Sequence, residues 1–342
     1  MHLEKQYIQR ENGEMVPAQF PVIVSASRST DIPGFYADWF LHRLKIGYSA
    51  WTNPFNGVQS YVSYRDTRMI VFWSKNPEAL LKKDGLLDYL EEKGIHYYIQ
   101  YTLNDYVAEK LEKMVPSVEK RIDVFKRLVD RIGVGKVIWR FDPLILTDTI
   151  SVPDLLAKVE RVGNQLKGYT ERMVFSFADI AVYRKVRSNL LNNNIHYREF
   201  AEPDMVEFAS GIQKLNQNWG YTLATCGEKI DLDQFGIIHN KCIDDDLMIR
   251  FFSYDTRLME FLGVTITDGD LFNPEKTIIK SKGNKDKGQR QFCGCIISKD
   301  IGEYNTCPHL CEYCYANSSK EIAIRNWQMH NSNPENETIT GR

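Results

Sequence analysis

The sequence lacks a long apolar run and any excess of charge of one sign. None of its hydrophobic stretches reaches the length that a membrane-spanning helix requires. The first residues, Met1-His-Leu-Glu-Lys-Gln, are polar and do not have the apolar stretch of a signal peptide. The formal net charge of -2 gives no general attraction to nucleic acid or to an anionic membrane. We therefore expect a cytoplasmic protein with no membrane partner.

Cysteine is missing from the first two thirds of the chain. All seven cysteines of the 342 residues lie at Cys226 or later. Disulfides are rare in a reducing compartment, so grouped cysteines there favour ligation of a metal or an iron-sulfur cluster. The remaining composition, with 43% hydrophobic and 26% charged residues, is that of a folded chain of one large domain or two modest ones.

Short apolar runs alternate with helical segments through the first two thirds of the chain. The predicted strands are 21–27, 48–52, 69–73, 96–102, 137–140, 173–177 and 221–225. Their β-branched and aromatic residues indicate strands that are covered on both faces. Helix 118–132 is predicted by apolar residues at one-face spacing before Gly133, and Ser151 is a predicted N-cap before Pro153.

This alternation predicts an α/β fold with a parallel sheet, arranged as a partial or full TIM-like β/α barrel with a C-terminal Cys-rich segment. A Rossmann domain is disfavoured because no Gly-rich turn follows the first strand. The predicted boundaries are 1–265 for the barrel, 266–290 for a Lys/Gly-rich linker, 291–327 for the Cys-rich segment and 328–342 for a flexible tail. A basic lid or a nucleic-acid contact is the alternative interpretation of the linker.

Polar residues follow the predicted strands, where a barrel carries its active site. They are Arg28, Asp31, Asn53, Lys75, Asn76, Asn104, Arg140, Asp142, Asp179 and Glu228. A single residue of this kind often does no more than cap a loop or helix. A group of charges in a barrel mouth is costly unless the charges are used or paired, so we predict that the group marks a functional site.

Three cysteines form a compact motif near the end of the chain. Cys307, Cys311 and Cys314 have the spacing C-x3-C-x2-C, and Tyr313 directly precedes the last of them. Three thiolates on one loop can hold three corners of a 4Fe-4S cluster and leave the fourth iron open for chemistry. Structural zinc normally takes four ligands, and His309 inside the loop would have to be the fourth. We therefore favour a cluster over zinc for this loop.

The other four cysteines are enough for a second site. Cys226 ends a predicted strand, Cys242 follows a short apolar run, and Cys293 and Cys295 are separated by one glycine. Four thiolates suit either a second 4Fe-4S cluster or a structural zinc ion. His239 is an alternative ligand, although a loop histidine on the surface is the simpler interpretation of that residue.

The run Cys307-Pro-His-Leu-Cys311-Glu-Tyr-Cys314-Tyr resembles the motif of the radical S-adenosylmethionine superfamily. In that superfamily the motif usually precedes the barrel, whereas here it follows the barrel. The whole chain resembles an uncharacterised family with this inverted order. The stretches that carry this likeness are 25–33, 72–77, 139–143, 226–244 and 293–317.

The resemblance implies a cluster on Cys307, Cys311 and Cys314 whose open iron chelates S-adenosylmethionine. Reductive cleavage would release a 5′-deoxyadenosyl radical that abstracts hydrogen from the substrate. Tyr313 matches the position that packs on the adenine, and Asn53, Asn76 and Asn104 are further candidates for cofactor binding. By charge, Arg28, Lys75 or Arg140 would pair with the methionine carboxylate. Asp31, Asp142, Asp179 or Glu228 would bind the amino group or the ribose.

The implied partners are an external one-electron donor of the flavodoxin or ferredoxin type and a substrate of unknown identity. A small molecule is the first expectation. A nucleic acid is the alternative, because the wording of the cysteine motif is also similar to the branch that includes spore photoproduct lyase. The open iron predicts sensitivity to oxygen. Two readings compete with an enzyme of this class, namely an electron-transfer protein and a barrel enzyme with structural zinc only.

Overall fold

The computed structural model describes residues 6–53, 56–267, 277–281 and 283–341. Its α-helices are α1 (Ile32–Phe35), α2 (Ala37–Ile46), α3 (Leu86–Glu92), α4 (Val118–Ile132), α5 (Val152–Leu166), α6 (Arg184–Asn192), α7 (Glu202–Asn216), α8 (Asp245–Phe252), α9 (Thr256–Leu262) and α10 (Lys320–Ser332). Two short 3-10 helices are Pro77–Leu81 and Asp233–Phe235.

The strands run from the N-terminal region to the cysteine segment. They are β1 (Tyr7–Gln9), β2 (Met15–Gln19), β3 (Ile23–Ala26), β4 (Tyr48–Thr52), β5 (Gln59–Ser63), β6 (Met69–Ser74), β7 (His96–Thr102), β8 (Val137–Leu144), β9 (Leu146–Thr147), β10 (Arg172–Phe177), β11 (Tyr197–Arg198), β12 (Thr222–Thr225), β13 (Ile237–His239), β14 (Val264–Thr267), β15 (Thr277–Lys280) and β16 (Lys299–Asp300).

A large parallel sheet organises the molecule. Its eight strands have the order β13-β12-β10-β8-β7-β6-β3-β16, and every neighbouring pair is parallel. From β3 to β13, each strand lies beside the next one of the sheet along the chain, and β16 returns to the far side of β3. The predicted α/β class with a parallel sheet is confirmed.

The sheet is buried on both faces, as its apolar strands require. In β6, Ile70 and Phe72 belong to the core that also contains residues of α2 to α7. Met69 and Val71 belong to a second core, which includes α8, α9 and the cysteines Cys242, Cys293 and Cys295. We call this second side the inner face. The chain after β13 crosses it, because the side chains of Tyr98 and Gln100 on β7 donate to the Cys242 carbonyl at 2.7 and 2.9 Å.

One predicted barrel strand lies elsewhere. Residues 48–52 form β4, which belongs to a four-stranded sheet of order β1-β2-β5-β4. β4 pairs antiparallel with β5. The six residues between these strands are too few for the helical crossover that a parallel neighbour needs. In the sequence β4 looks like a strand of the central sheet because its residues from Tyr48 to Ala50 are suited to burial, and they are indeed buried.

Helices α4 and α5 begin where the sequence predicts. The Ser117 hydroxyl accepts a hydrogen bond from the Lys120 amide at the start of α4. The Ser151 hydroxyl accepts one from the Asp154 amide, and the Asp154 carboxylate accepts one from the Ser151 amide in return. These reciprocal bonds satisfy amide groups that have no partner within the helix.

Within the predicted linker 266–290, residues 268–276 and 282 lie outside the described residues. In the described part, β14 and β15 pair antiparallel, and Lys280 forms an ion pair with Asp245. Arg290 donates to the Cys226 carbonyl at 3.1 Å. Two basic residues of the segment therefore contact the fold rather than solvent alone.

The C-terminal residues differ from the predicted flexible tail 328–342. Helix α10 continues to Ser332, and the Ile339 side chain is fully buried. The Glu337 carboxylate pairs with Arg10 at 2.8 Å and accepts from the Tyr48 hydroxyl at 2.5 Å. The polar composition of this segment suggested that it frays. However, its residue Glu337 pairs with Arg10, which lies more than 300 residues away in the chain. None of the helices in the part of the chain described here is long and apolar enough to cross a membrane.

Candidate functional site

The loop with Cys307, Cys311 and Cys314 docks on the carboxyl end of β3. The Thr30 hydroxyl donates to the Glu303 carbonyl at 2.8 Å, and the Tyr36 hydroxyl donates to the Thr306 carbonyl at 2.5 Å. Gly302 permits this approach, because a Cβ atom there would lie 1.8 Å from the Ser27 hydroxyl oxygen. The long connection from the last strands of the parallel sheet therefore does fold back onto the sheet.

His309, which lies inside this loop, is hydrogen-bonded to the carboxylate of Asp31. Its Nε2 lies 2.8 Å from Asp31 Oδ2, and both side chains are buried. The same carboxylate accepts from the Lys75 amide at 2.8 Å and, through Oδ1, from the Gly34 amide at 2.8 Å. Although burial acts to raise the pKa of Asp31, the hydrogen bond from His309 helps to hold it below its ordinary value. Asp31 is therefore ionised and fixes the loop, and both ring nitrogens of His309 face protein oxygens, since Nδ1 lies 3.4 Å from the Met114 carbonyl oxygen.

The three thiols of the loop are free, and each is at least partly buried. Burial raises the pKa of the Cys307, Cys311 and Cys314 thiols. A metal or cluster binds the thiolate, so loading would release the three protons. Lys75 supplies a positive charge beside Cys311 and Cys314 that favours the charged form.

Tyr313 is the centre of a buried polar network beside the cysteines. Its hydroxyl oxygen accepts from Lys75 Nζ at 2.8 Å and from Asn104 Nδ2 at 3.0 Å, and the hydroxyl donates to Glu112. Lys75 Nζ also lies 2.7 Å from Glu112 Oε1. Burial acts to raise the pKa of Glu112, but the charges of Lys75 and Arg121 outweigh it and lower that pKa to about 2. Lys75 and Glu112 therefore form an ionised pair, and both hold the Tyr313 hydroxyl in place.

The other four cysteines meet on the inner face. Cys226 Sγ and Cys242 Sγ are 3.5 Å apart. The sulfur of Cys295 accepts from the Cys242 amide at 3.2 Å and from the Ile243 amide at 3.4 Å. A hydrogen bond with the Cys295 thiol lowers the pKa of Cys293 to about 7. Four thiols from three separate parts of the chain thus form one group.

The spacing of the thiols bears on which metal group they suit. Zinc–sulfur bonds of about 2.3 Å place the sulfurs of a tetrahedral site roughly 3.8 Å apart. Among the described residues, no three cysteine sulfurs lie within 4.8 Å of one another, and the acidic group Asp244, Asp245 and Asp246 alone meets that limit. A 4Fe-4S cluster has its ligands at separate corners and accepts wider spacing. The Cys226 and Cys242 sulfurs, which are 3.5 Å apart, have about the separation of two zinc ligands, and four thiolates suit either a zinc ion or a 4Fe-4S cluster.

Arg140 and Asp142 lie within β8, and Arg140 contacts one of the four thiols. Arg140 donates to Cys242 Sγ at 3.0 Å and to Gln100 Oε1 at 3.1 Å, and it pairs with Asp142. The Asp142 carboxylate also accepts from the Ser176 hydroxyl. Its backbone amide donates to Asn104 Oδ1 at 2.9 Å. Since Asn104 also bonds the Tyr313 hydroxyl, these contacts and the Asp142 residue itself link Cys242 to Tyr313, the residue before Cys314.

Arg28 and Asn76 carry polar atoms without a visible partner. The Arg28 guanidinium lies over the Trp73 ring at 5.3 Å. Within the described part of the chain, Arg28 Nη2 and Asn76 Oδ1 are buried with no hydrogen-bond partner. These two atoms therefore have unused hydrogen-bonding capacity at buried positions.

The remaining predicted residues are more scattered. Glu228 accepts from the Phe177 amide at 3.1 Å, and burial raises its pKa to about 7. Asp179 is exposed. Asn53 follows β4 in the smaller sheet, where its amide donates to the Val58 carbonyl at 3.0 Å. His239 Nδ1 lies 3.5 Å from the Thr225 hydroxyl.

Several residues of the site were not predicted from the sequence. Glu112, Arg121, Gln100 and Ser176 complete the networks around Tyr313 and Arg140. Gln100 and Ser176 lie inside predicted strands, where alternation would place them on the same face as Arg140. Glu112 lies between β7 and α4 and had no signal of that kind.

The fold and the site define an α/β protein with a parallel sheet and two buried groups of cysteines. The chain belongs to the family described as "Domain of unknown function (DUF1848)", whose sequence profile matches residues 23–316. No curated protein matches the chain.

A crystal structure described as that of a candidate alpha-L-fucosidase from Bacteroides thetaiotaomicron is similar at 16% identity and a TM-score of 0.24. The similarity covers 49% of this chain and 65% of that protein, which is less than two thirds of its length. A likeness this low carries no argument about fold or activity.

Proposed function

We propose that this protein is a radical S-adenosylmethionine enzyme. The observation that carries the proposal is the loop of three thiols in which His309 is held by Asp31 at 2.8 Å instead of serving as a fourth ligand. A cluster on Cys307, Cys311 and Cys314 would keep one iron without a protein ligand. When bound, such a cluster supplies the electron that cleaves S-adenosylmethionine and so starts radical chemistry.

The residues of the chain would bind the cofactor and exclude water. Arg28 is the best candidate for the methionine carboxylate, because Nη2 is buried and lacks a partner among the described residues. Asn76 offers a free amide oxygen to an amino group or a hydroxyl. Lys75 and Arg140 are engaged by Glu112 and Asp142, so we assign them to holding the site. The Tyr313 ring would flank the cofactor while its hydroxyl stays in the network.

We further propose that the parallel sheet curves as a β/α barrel around the inner face. The stepwise order of the strands supports this, as does the contact of the chain after β13 with β7. Cys226, Cys242, Cys293 and Cys295 would hold a second 4Fe-4S cluster, with zinc as the alternative. The substrate would be a small molecule on the inner face, and the electron would come from a flavodoxin- or ferredoxin-type donor. The cytoplasm is the proposed compartment because it keeps seven thiols reduced.

Anaerobic reconstitution tests the proposal. The wild-type chain should bind about eight irons and form 5′-deoxyadenosine from S-adenosylmethionine when dithionite is added. Cys311→Ala should lose 5′-deoxyadenosine formation and about half of the iron. The matched control is Cys293→Ala, which removes a cysteine from the other group and should still form 5′-deoxyadenosine.

Two outcomes contradict the proposal. Stoichiometric zinc without iron after anaerobic purification would favour a barrel enzyme with structural zinc. Iron at both sites without cleavage of S-adenosylmethionine, tested with cell extract as a source of substrate, would favour an electron-transfer protein.

A further inference from the structure

The sulfur of Cys242 has an unusual set of neighbours for a buried thiol. Arg140 Nη1 donates to it at 3.0 Å, and Asn240 Nδ2 donates to it at 3.3 Å. Cys242 is 5% exposed and Arg140 is 3% exposed, so water does not screen this contact. A guanidinium is thus aimed at one sulfur of the four-cysteine group.

Other contacts fix the guanidinium in this orientation. Arg140 Nη1 also donates to Gln100 Oε1 at 3.1 Å, while Nη2 pairs with the Asp142 carboxylate. Gln100 is itself held through Nε2, which donates to the Cys242 carbonyl at 2.9 Å. The planar fork of arginine therefore contacts a sulfur, an amide and a carboxylate at once, which a lysine cannot reproduce. These contacts also leave Arg140 unable to pair with a methionine carboxylate.

We infer that Arg140 is a positioning residue of the four-cysteine site, which holds Cys242 for ligation and raises the reduction potential of the cluster bound there. The inference rests on the proposed function, since it requires an iron-sulfur cluster on Cys226, Cys242, Cys293 and Cys295.

The direction of the effect follows from charge. Reduction adds one electron to the cluster and its thiolate ligands, and a positive charge with an N–H donor at the sulfur stabilises the reduced form more than the oxidised form. The amides of Cys242 and Ile243, which donate to Cys295 Sγ, act in the same direction. With four protein ligands no iron is left open, so the chain equips this site to store or pass an electron rather than to bind S-adenosylmethionine.

The experiment is a potentiometric titration followed by electron paramagnetic resonance. It is run first on the reconstituted full chain and then on the full chain with Cys307→Ala, Cys311→Ala and Cys314→Ala, where only the four-cysteine cluster remains. In both proteins, Arg140→Met should make reduction of this cluster ten- to a hundredfold less favourable, a fall of about 60–120 mV for one electron.

Two conservative variants separate charge from hydrogen bonding and guard against a folding defect. Arg140→Lys keeps the charge and should shift the potential less than Arg140→Met. Arg140→Gln keeps an N–H donor without the charge and should give an intermediate shift. The matched control is Arg43→Met, since Arg43 is fully buried and pairs with Glu11 at 2.8 Å at a distant part of the fold. This variant should leave the potential unchanged.

The outcomes for this inference differ from those for the proposed function. Equal potentials in wild type, Arg140→Met and Arg140→Gln, or zinc in place of iron in the triple variant, would overturn the inference. Failure of S-adenosylmethionine cleavage with the potential shift intact would overturn only the radical enzyme.

Discussion

Tyr313 shows how a single hydroxyl can organise a buried site. Its oxygen accepts from Lys75 and Asn104, and its proton goes to Glu112. All three partners lie near the carboxyl ends of strands or in the loops that follow them. A tyrosine that is 8% exposed and bonded on all sides has little freedom, so its ring is fixed beside Cys311 and Cys314 before any cofactor binds.

Tyr313→Phe should destabilise the protein before any cluster is loaded. The change removes one acceptor and one donor from a dry site, and a buried polar group left unpaired costs about 1–3 kcal/mol. Chemical denaturation of the metal-free protein measures the loss. Tyr304→Phe is the control, because Tyr304 is 36% exposed and should change the free energy of unfolding by less than about 0.5 kcal/mol. Equal effects of the two variants would contradict this role of the network.

At the residue scale, the sequence predicted several residues that the structure brings together, but fewer of the residues they contact. Grouping strand-end residues found Lys75, Asn104 and Asp142, because parallel strands bring their carboxyl ends to one edge. The same rule failed for Asn53, since its strand has a close antiparallel partner. Glu112 was not predicted because its position depends on tertiary packing rather than on a strand end.

At the scale of elements, the C-terminal segment 333–341 is bonded to the N-terminal sheet and to α2, and we call this set of contacts the latch. The amide of Ala50 in β4 donates to the Glu337 carbonyl at 2.8 Å, and the Trp39 indole in α2 donates to the Asn336 carbonyl at 2.8 Å. The Glu337 side chain adds the ion pair with Arg10. The latch therefore depends in part on an ionised carboxylate.

This latch should loosen in acid. Burial acts to raise the pKa of Glu337, but its bonds to Arg10 and Tyr48 hold that pKa below the ordinary 4.5. A lowered folded pKa means that the stabilisation is complete above pH 4.5 and is lost as the pH falls through the folded value. The protection of residues 333–341 against hydrogen exchange, measured relative to the intrinsic rate at each pH, should therefore fall in that acid range.

Glu337→Gln should bring the fast exchange of this segment to pH 7, because the amide cannot form the ion pair. Glu335→Gln is the matched control, since the Glu335 side chain is 74% exposed and its nearest basic atom is His42 Nδ1 at 4.0 Å. Exchange that is slow in both variants at pH 7 would show that Ile339 and the backbone bonds hold the tail without the charge.

The elements also show where sequence patterns stop being informative. Strands of four or more buried residues, such as β6 and β7, were predicted from their apolar runs. The edge strands β13 and β16 have three and two residues, and their identity as strands comes from pairing with β12 and β3. The contacts of the tail were not foreseen for a related reason, because its partners are far away in the chain.

At the scale of the whole molecule, the two hydrophobic cores are built mainly from residues outside the two cysteine groups. The core on the other side of the sheet from the inner face is built from sheet residues and α2 to α7. The three-cysteine loop adds to that core through Cys311 and Tyr313, and Cys314 packs against it. Cys242, Cys293 and Cys295 lie within the inner core, but Met248, Leu258 and the strand residues fill it as well. The fold thus has an apolar interior that does not depend on metal ligation.

Removal of iron should therefore loosen the cysteine segments without unfolding the sheet. Small domains organised by zinc unfold without their metal because they have little other core. Here the bonds of Thr30, Tyr36 and Asp31 to residues 303–309 would keep the loop docked on β3. Hydrogen exchange of the iron-free protein should rise in 291–317 and stay slow in β6, β7 and β8. Loss of protection throughout these central strands would show instead that the metal groups hold the fold together, and would favour a structural role for the cysteines.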